Sequence, residues 1–372
     1  MKAIVEPPQN THRSITSFEA TYMFRLNSQP ARTRGRTHHS ASRAWIWPRR
    51  LAAGLVALVA FVALSGLVFQ VSKTWLDARR YPPPGRMVDV GTHRLHLTCT
   101  GEGTPTIVLE APIGGSSLGW ARVQRGLAGH ARVCSYDRGG YGWSETGPGP
   151  RSADRLVSEL RALLRAAKVP RPYVLVGSSY GGALVRLFTA RHRQDVAALV
   201  LVDATHEEAY RRIPSGAEDV RSTARAVGWM QLGSRFGVLR MLDVPLGEGS
   251  SDALPDDLRA GARAAGFRTA WLTALGDELD SVEAGLGTVK AAVAARPSPA
   301  FDALPLVVLS RGPAARPEAV ESRDYGAWMD LQRDFLRSSS SATHLVATTS
   351  EHLIQTVEWQ TVIDAVLSVV RR

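Results

Sequence analysis

The chain contains only two cysteines among its 372 residues, Cys99 and Cys134. Two cysteines exclude a disulfide-framework mini-protein and any four-cysteine zinc or iron–sulfur site. The sequence has no fixed-period repeat, which excludes collagen, coiled-coil and solenoid architectures. It also lacks a glycine-rich phosphate loop and any His, Cys, Asp or Glu cluster with metal-ligand spacing. We therefore expect neither a metal ion nor a cofactor.

The basic residues are concentrated at the N-terminus. Of the net charge of +11, most comes from residues 1–50, which hold nine Lys or Arg against two Glu, whereas the rest of the chain carries 36 basic and 32 acidic groups. A nucleic-acid-binding domain needs its basic surface on the folded part, so we expect no nucleic-acid partner. The tail is rich in Arg, Ser, Thr and Pro without periodicity, which predicts disorder. Whether translation starts at Met1 or at Met23 stays open.

An uncharged apolar segment occupies residues 51–71. As a helix at about 1.5 Å per residue, it spans roughly 30 Å, the thickness of a bilayer's hydrocarbon core. Trp45 and Trp47 before it and Trp75 after it stand where interfacial aromatics belong. A cleavable signal peptide would have a shorter apolar region, of about 7–15 residues, and a small-x-small cleavage site. The segment therefore favours an uncleaved transmembrane helix.

The charges beside this segment predict its orientation. Arg43, Arg49 and Arg50 precede it, whereas acidic and basic residues are mixed on the far side. The positive-inside rule then places the N-terminus in the cytoplasm and the C-terminal domain outside. Residues 72–85 are expected to form a juxtamembrane linker.

Short apolar stretches alternate with longer amphipathic ones from about residue 86, which predicts an α/β fold with a doubly wound sheet. The continuous apolar runs 172–177 and 197–203 are typical of strands buried on both faces of a parallel sheet. Gly91-Thr92 indicates an antiparallel hairpin at one edge. The predicted strands are 86–90, 93–100, 105–111, 131–136, 172–177, 197–203, 305–310 and 343–348, and the predicted helices are 116–128, 152–168, 180–192, 324–337 and 355–371.

Residues 207–300 interrupt this alternation. They contain no clear strand, and the interval is too long for a loop. We predict an inserted helical cap that separates two parts of the core, 86–206 and 301–372. Its predicted helices are 216–228, 254–266, 270–283 and 287–295. The apolar content of the cap favours a mainly apolar substrate, through Trp229, Met230, Phe236, Leu239, Met241, Phe267 and Trp271. The equal alternative is that these residues form the ordinary core of the cap.

Gly177-Ser178-Ser179-Tyr180-Gly181 fits the pattern Gly-x-Ser-x-Gly. An apolar strand precedes it and an amphipathic helix follows, which is the setting of a nucleophile elbow with Ser179 as nucleophile. A serine hydroxyl needs a base. His352 follows the last predicted strand, so it lies at the same sheet edge as Ser179. His344 lies within that strand and is a weaker candidate. Two early histidines on an edge strand, His93 and His96, are expected to face solvent.

These motifs resemble the α/β-hydrolase superfamily over residues 86–372 apart from the cap. The resemblance is to its cofactor-free, serine-dependent branch of esterases, haloperoxidase-like perhydrolases and carbon–carbon bond hydrolases. Residues 107–115 are similar to the strand and turn that usually read His-Gly, and residues 136–144 to the loop Asp-x-x-Gly-x-Gly-x-Ser. The resemblance implies an eight-stranded, mostly parallel sheet with helices on both faces. A serine nucleophile excludes the Asp-dependent epoxide hydrolases and haloalkane dehalogenases.

The resemblance also indicates the oxyanion donors. Ala111-Pro112 stands where the family has His-Gly, and Pro112 has no N–H to donate. We therefore expect the backbone N–H groups of Ile113 and Tyr180 to form the oxyanion hole.

The acid of a triad has two candidates. Most members of the superfamily carry it after the seventh strand and others after the sixth. The seventh predicted strand ends in Ser310-Arg311-Gly312-Pro313 without an acid, and the first carboxylates beyond it are Glu318, Glu321 and Asp324. The sixth predicted strand ends at Asp203, which we prefer, with Glu318 as the alternative.

The family's usual sheet order makes the strands of Cys99 and Cys134 neighbours. A disulfide between them is then within reach, and an extracytoplasmic domain would permit its oxidation. The alternative is two small buried side chains that do not meet.

The resemblance implies a membrane-anchored serine hydrolase that cleaves a small-molecule ester or related acyl substrate through an acyl-enzyme. Two alternatives stay open: a catalytically silent hydrolase-fold protein that binds a ligand or partner, and a perhydrolase that uses the same triad.

Overall fold

The computed structural model describes residues 46–213, 215–312 and 323–370. Its first helix, α1, runs from Ile46 to Arg80 and is long and apolar enough to cross a membrane. The helix is longer than the predicted 51–71 and includes residues 72–80 of the predicted linker. Charged residues such as Lys73 and Asp77 end the apolar stretch, but they are compatible with a helix that continues through them. Pro82 disfavours a helical residue before it, which accounts for the end near Arg80. The first 45 residues of the predicted tail lie outside the described residues.

Eight strands form one sheet in the order β1-β2-β4-β3-β5-β6-β7-β8. The pairs β1–β2 and β2–β4 are antiparallel and all others are parallel, so the predicted mostly parallel sheet is confirmed. Parallel strands bring their carboxyl ends to one edge, where ligands bind in open α/β sheets. The strands are β1 Arg86–Asp89, β2 Arg94–Thr100, β3 Thr106–Glu110, β4 Val133–Tyr136, β5 Tyr173–Ser178, β6 Val196–Val202, β7 Leu306–Arg311 and β8 Ala342–Ala347.

Helices cover both faces of the sheet. Apolar side chains of α2 and α9 pack on one face, and those of α3 and α4 pack on the other. Because both faces are covered, the central strands are apolar on both sides rather than alternating. The longer helices are α2 Ala121–Leu127, α3 Ala153–Ala166, α4 Tyr180–Arg191, α5 Gly216–Arg235, α6 Asp256–Ala265, α7 Thr269–Ala294, α8 Arg323–Asp334 and α9 Trp359–Val370; one-turn helices are Ala209–Arg212, Val238–Met241 and Ile354–Val357.

A disulfide joins Cys99 on β2 to Cys134 on β4. The two residues are directly opposite each other in the antiparallel pair, and their Cα atoms are 4.1 Å apart. The structure therefore contains the disulfide and not the alternative of two buried cysteines that do not meet. It closes a long loop of the chain, which is the arrangement in which a disulfide most restricts the unfolded state.

Three longer helices, α5 to α7, and the one-turn helices Ala209–Arg212 and Val238–Met241 lie between β6 and β7, in the interval predicted as a cap. The two helices predicted over 270–283 and 287–295 are one continuous helix, α7. Gly285, at the predicted break, is helical and buried beneath the phenol oxygen of Tyr180, which a Cβ atom at this position would overlap. The glycine is therefore explained by packing against Tyr180 and not by an interruption of the helix.

Candidate functional site

Ser179 occupies the sharp turn between β5 and α4. Its backbone angles are φ 53° and ψ −124°, a region that side-chain-bearing residues rarely adopt. The strained turn projects Ser179 Oγ away from the sheet edge, and a hydrogen bond from Ser179 N to Val202 O (3.1 Å) fixes the turn to β6. Gly177 permits this geometry, because a Cβ atom there would lie 2.5 Å from the carbonyl oxygen of Gly181.

The structure brings Ser179, His352 and Asp203 together from three different loops. His352 Nε2 is 2.8 Å from Ser179 Oγ, and His352 Nδ1 is 2.6 Å from Asp203 Oδ2. Both distances are those of good hydrogen bonds. The imidazole thus lies between a hydroxyl and a carboxylate, which is the order that lets it accept the hydroxyl proton while the carboxylate holds its other nitrogen.

Asp203 is completely buried, and its second oxygen is also bound. Oδ1 accepts hydrogen bonds from Trp328 Nε1 (2.7 Å) and from the backbone N–H of Arg311 (3.2 Å). The Arg311 side chain approaches Oδ2, with Nε at 3.6 Å. These contacts fix the carboxylate so that Oδ2 remains directed at His352. Of the other carboxylates considered, Glu318 and Glu321 lie outside the described residues, and Asp324 lies in the first turn of α8.

The turn after β3 is held in one orientation by Arg138. Its Nη2 donates to the carbonyl of Pro112 (2.6 Å) and its Nη1 to the carbonyl of Ala111 (2.8 Å). In a trans peptide the N–H points opposite to the preceding carbonyl. Fixing the carbonyl of Pro112 therefore fixes the direction of the Ile113 N–H. Trp271 of the cap holds the next part of the turn, with Nε1 donating to the carbonyl of Gly114 (2.9 Å).

Tyr180, the other expected donor, is the first residue of α4, so its N–H has no acceptor within the helix. The N-terminal turn of α4 lies directly against the turn after β3, because a Cβ atom on Gly181 would be 2.5 Å from the carbonyl oxygen of Ala111. The two expected donors, Ile113 and Tyr180, thus belong to adjoining segments beside Ser179.

Arg138 belongs to a buried network of charges that the sequence did not reveal. It pairs with Glu110 (2.6 Å) and with Glu278 of α7 (2.8 Å), and Arg151 also pairs with Glu278 (2.5 Å). Tyr141 donates to Glu278 at 3.0 Å. Burial alone would raise the pKa of Glu278, but Arg138 and Arg151 outweigh it and hold the pKa below its usual range. The network therefore joins the cap to the turn that carries Ile113.

Glu278→Gln is expected to destabilise the protein strongly. The change keeps the side-chain shape but leaves two buried guanidinium groups with one anion fewer, and breaking a buried ion pair costs about 3–5 kcal/mol. Asp257→Asn is the control, because Asp257 pairs with Arg125 at the surface, where a pair contributes about 0–1 kcal/mol. Urea unfolding of both purified variants measures the difference. Equal unfolding free energies for the two variants would contradict a structural role for the network.

A second buried pair corrects an expectation about the early histidines. The edge-strand position predicts that His93 and His96 face solvent, but both are buried, and His96 Nδ1 is 2.8 Å from Asp137 Oδ2. Asp137 also accepts hydrogen bonds from the backbone N–H groups of Ser117 (2.7 Å) and Trp143 (2.9 Å). Burial opposes ionisation, but these partners lower the pKa of Asp137. The loop after β4 covers β2 at this point, and Trp143 of that loop contacts the His96 ring. The sequence pattern of a strand does not show whether a distant loop covers it.

Of the seven apolar cap residues named from the sequence, two are buried, two are exposed, and Met230, Phe236 and Leu239 are partly buried. Trp271 and Phe267 are buried, and Trp271 contacts the turn after β3. Trp229 and Met241 are exposed and so do not contribute to an apolar site interior, contrary to the expectation for them. In the part of the chain that the structure describes, no three His, Cys, Asp or Glu side chains are grouped so as to hold a metal ion.

Acid is expected to destabilise the protein through His206, which follows the Asp203 loop and stacks on Phe335 (4.7 Å between ring centroids). Burial, aided by Arg186, lowers its pKa to about 4 despite the attraction of Glu207. Between about pH 4 and pH 6.5, His206 is therefore protonated in the unfolded state but neutral in the folded state. Stability is full above about pH 6.5 and is lost as the pH falls toward 4, with about 2 kcal/mol lost between pH 7 and 5.

Urea unfolding of the wild type and of His206→Gln at pH 7 and pH 5 checks this expectation. The variant should lose about 2 kcal/mol less than the wild type over that interval. The same pH dependence in both proteins would show that His206 is not the group responsible.

The strand order, the helices on both faces and the serine turn after β5 are those of an α/β-hydrolase fold. A family model described as alpha/beta hydrolase fold matches residues 105–228, which include Ser179 and Asp203. The chain is therefore an α/β-hydrolase-fold protein. Among solved structures, it resembles an esterase from Thermogutta terrifontis (19% identity, 77% of this chain and 98% of that one, TM-score 0.54). It also resembles an enol-lactonase from Burkholderia xenovorans (19% identity, 77% and 100%, TM-score 0.55). At these identities the likeness shows the fold alone.

Curated relatives match shorter parts of the chain. A protein of Hormonema carpetanum named "Probable transporter efuK" is 35% identical over 136 residues, 34% of this chain and 20% of that protein. An uncharacterized vacuolar membrane protein of Saccharomyces cerevisiae is 34% identical over 137 residues (32% and 21%). A 2-hydroxy-6-oxo-2,4-heptadienoate hydrolase of Pseudomonas putida is 32% identical over 123 residues (32% and 44%). The chain thus spans less than half the length of each of these relatives.

Proposed function

We propose that the protein is a membrane-anchored serine hydrolase that cleaves a small-molecule ester or related acyl substrate. The observation that carries the proposal is the continuous hydrogen-bonded chain from Ser179 Oγ through His352 to Asp203. The 32% identity over 123 residues to a 2-hydroxy-6-oxo-2,4-heptadienoate hydrolase supports a hydrolytic reaction.

In the proposed mechanism, His352 Nε2 takes the proton of Ser179 Oγ as this oxygen attacks the acyl carbon. The oxyanion that forms on the carbonyl oxygen accepts hydrogen bonds from the N–H groups of Ile113 and Tyr180. His352 then gives its proton to the departing alkoxide, which leaves as an alcohol. Water, activated by the same imidazole, hydrolyses the acyl-enzyme and restores Ser179, while Asp203 keeps Nδ1–H of His352 in place.

The test uses the full chain in detergent micelles with p-nitrophenyl acetate, butyrate, octanoate and laurate. We expect turnover well above the Ser179→Ala background for at least one ester, and the preferred chain length measures how apolar the acyl site is. Rates equal to that background for every ester would instead support a catalytically silent, ligand-binding protein.

The proposed location is a single-pass membrane protein with a cytoplasmic N-terminus and an extracytoplasmic hydrolase domain. The apolar helix α1 and the membrane-protein relative support an association with a membrane. Arg43, Arg49 and Arg50, which precede the apolar stretch 51–71, support the orientation. Alkaline phosphatase fused after Arg80 should be active outside the cytoplasm. An inactive fusion that is protected from external protease would reverse the orientation.

A further inference from the structure

Exposed apolar side chains on the cap are concentrated in one short segment. Outside α1, ten large apolar residues of the described chain are exposed, and six of them lie between residues 229 and 244. These six form what we call the cap patch: Trp229, Leu232, Val238, Met241, Leu242 and Val244. Exposed apolar patches mark surfaces that contact another protein or a membrane.

The cap patch adjoins α1 through two glycines. A Cβ atom on Gly66 of α1 would lie 2.5 Å from the carbonyl oxygen of Phe236, and one on Gly237 would lie 2.8 Å from the Phe69 ring. The segment between α5 and the helix Val238–Met241 therefore lies directly on α1. The other faces of α1 at this level are exposed and apolar, including Leu67 and Val68. Val238 of the cap patch directly follows Gly237, so the patch begins beside these exposed faces of α1.

Polar contacts fix the cap at the C-terminal end of the apolar stretch. Gln70, which is buried, donates from Nε2 to the carbonyl of Phe267 (2.8 Å), and Arg240 pairs with Asp77 (2.5 Å). These contacts tie the cap to one polar residue inside the apolar stretch, Gln70, and to one beyond its end, Asp77. The two residues after Arg240 remain open to the surroundings, since Met241 is 60% exposed and Leu242 is 67% exposed.

The position of Gly66 along α1 gives the depth at which the cap contacts the helix, measured from the end of the apolar stretch. Gly66 precedes the end of the apolar stretch, Val71, by five residues, which is about 7.5 Å along the axis at about 1.5 Å per residue. Apolar faces of membrane-surface proteins are buried about 5–10 Å into the boundary between headgroups and acyl chains. A cap held at Gly66 therefore lies at the depth of such an insertion.

We propose that the cap patch inserts into the lipid leaflet from which α1 emerges, so that the hydrolase domain lies on the bilayer surface rather than away from it on a linker. The proposal rests on the membrane anchoring proposed for α1. A second copy of the chain is the other occupant that an apolar surface of this kind could have, and the test separates the two.

The test places a single label on the patch of the full-length protein. Leu242→Cys is labelled with the fluorophore NBD in vesicles of phosphatidylcholine and phosphatidylglycerol, since Cys99 and Cys134 are joined and do not react. Leu345→Cys is the matched control, because Leu345 is an exposed leucine on β8. A lipid spin-labelled near its carbonyl group should lower the fluorescence at position 242 about twofold, as expected for an interfacial depth, and leave the control unchanged.

Two results would overturn the proposal. One is an NBD signal at position 242 that is insensitive to the spin-labelled lipid and is removed by external dithionite as fast as the control. The other is efficient cross-linking of two unlabelled Leu242→Cys chains to each other by a short bismaleimide, which would assign the patch to a second copy. Turnover of a water-soluble ester, measured on the same preparation, reports separately on the proposed hydrolase activity.

Discussion

Ser179→Ala is expected to abolish ester hydrolysis while leaving the fold intact. Ser179 Oγ is the only side-chain atom of this residue that can attack an acyl carbon, and His352 Nε2 lies 2.8 Å from it. Removing the nucleophile of a serine triad lowers kcat by roughly four to six orders of magnitude. The hydroxyl contacts His352 Nε2 and Thr205 Oγ1 (3.3 Å), neither of which lies on a strand, so circular dichroism and the unfolding midpoint should stay close to those of the wild type.

The neighbouring serine provides a matched control. Ser178 is also buried, but its Oγ bonds to Gln355 Oε1 (3.1 Å) and not to the histidine. Ser178→Ala should retain activity within about tenfold of the wild type, since losing a neutral hydrogen bond costs only about 1 kcal/mol. Residual turnover within about tenfold of wild type in Ser179→Ala would remove Ser179 from the nucleophile role, because loss of a triad member costs far more.

Asp203→Asn is expected to lower kcat about 10⁴-fold, because the corresponding change in a serine protease selects the wrong imidazole tautomer. Here Asp203 Oδ2 accepts from His352 Nδ1 at 2.6 Å, and Oδ1 is occupied by Trp328. An amide in this place would present its NH₂ group to one of two donors and lose that hydrogen bond. The loss should appear in kcat with little change in KM, since the buried Asp203 carboxylate acts through His352 rather than on the substrate.

Glu318→Gln is the comparison for the acid assignment. With Asp203 as the acid, this variant should hydrolyse esters at the wild-type rate. A large loss of turnover in Glu318→Gln together with nearly wild-type turnover in Asp203→Asn would assign the triad acid to the segment after β7.

The sheet was predictable from the sequence because its central strands are continuous apolar runs. Consecutive buried residues such as Leu199 and Val200 of β6 are apolar without a polar face, which is not the pattern of an amphipathic helix. The position of Asp203 followed from the same pattern, because the residue after an apolar strand of a parallel sheet lies at the carboxyl edge. Which carboxylate meets His352 depends on loop conformation, which a single sequence leaves open.

The buried charges were not predictable in the same way. Glu278 lies 140 residues from Arg138 in the chain, so no local pattern connects them. One signal was present, since Glu278 falls at helical spacing among Leu275, Val282 and Gly285, on the face of α7 that packs on the core. A lone carboxylate on an apolar helical face calls for a buried partner. No comparable pattern indicated the burial of His96, because the loop that covers it, after β4, is about 40 residues further along the chain.

Labelling with a fluorophosphonate probe tests the central claim most directly, because only an activated serine reacts with it. The full chain is incubated with the probe in detergent micelles, digested and analysed by mass spectrometry. We predict one adduct, on the peptide that contains Ser179, and its loss in Ser179→Ala but not in Ser178→Ala. No adduct on the folded wild-type protein, or an adduct that persists in Ser179→Ala, would contradict the assignment of Ser179 as an activated nucleophile.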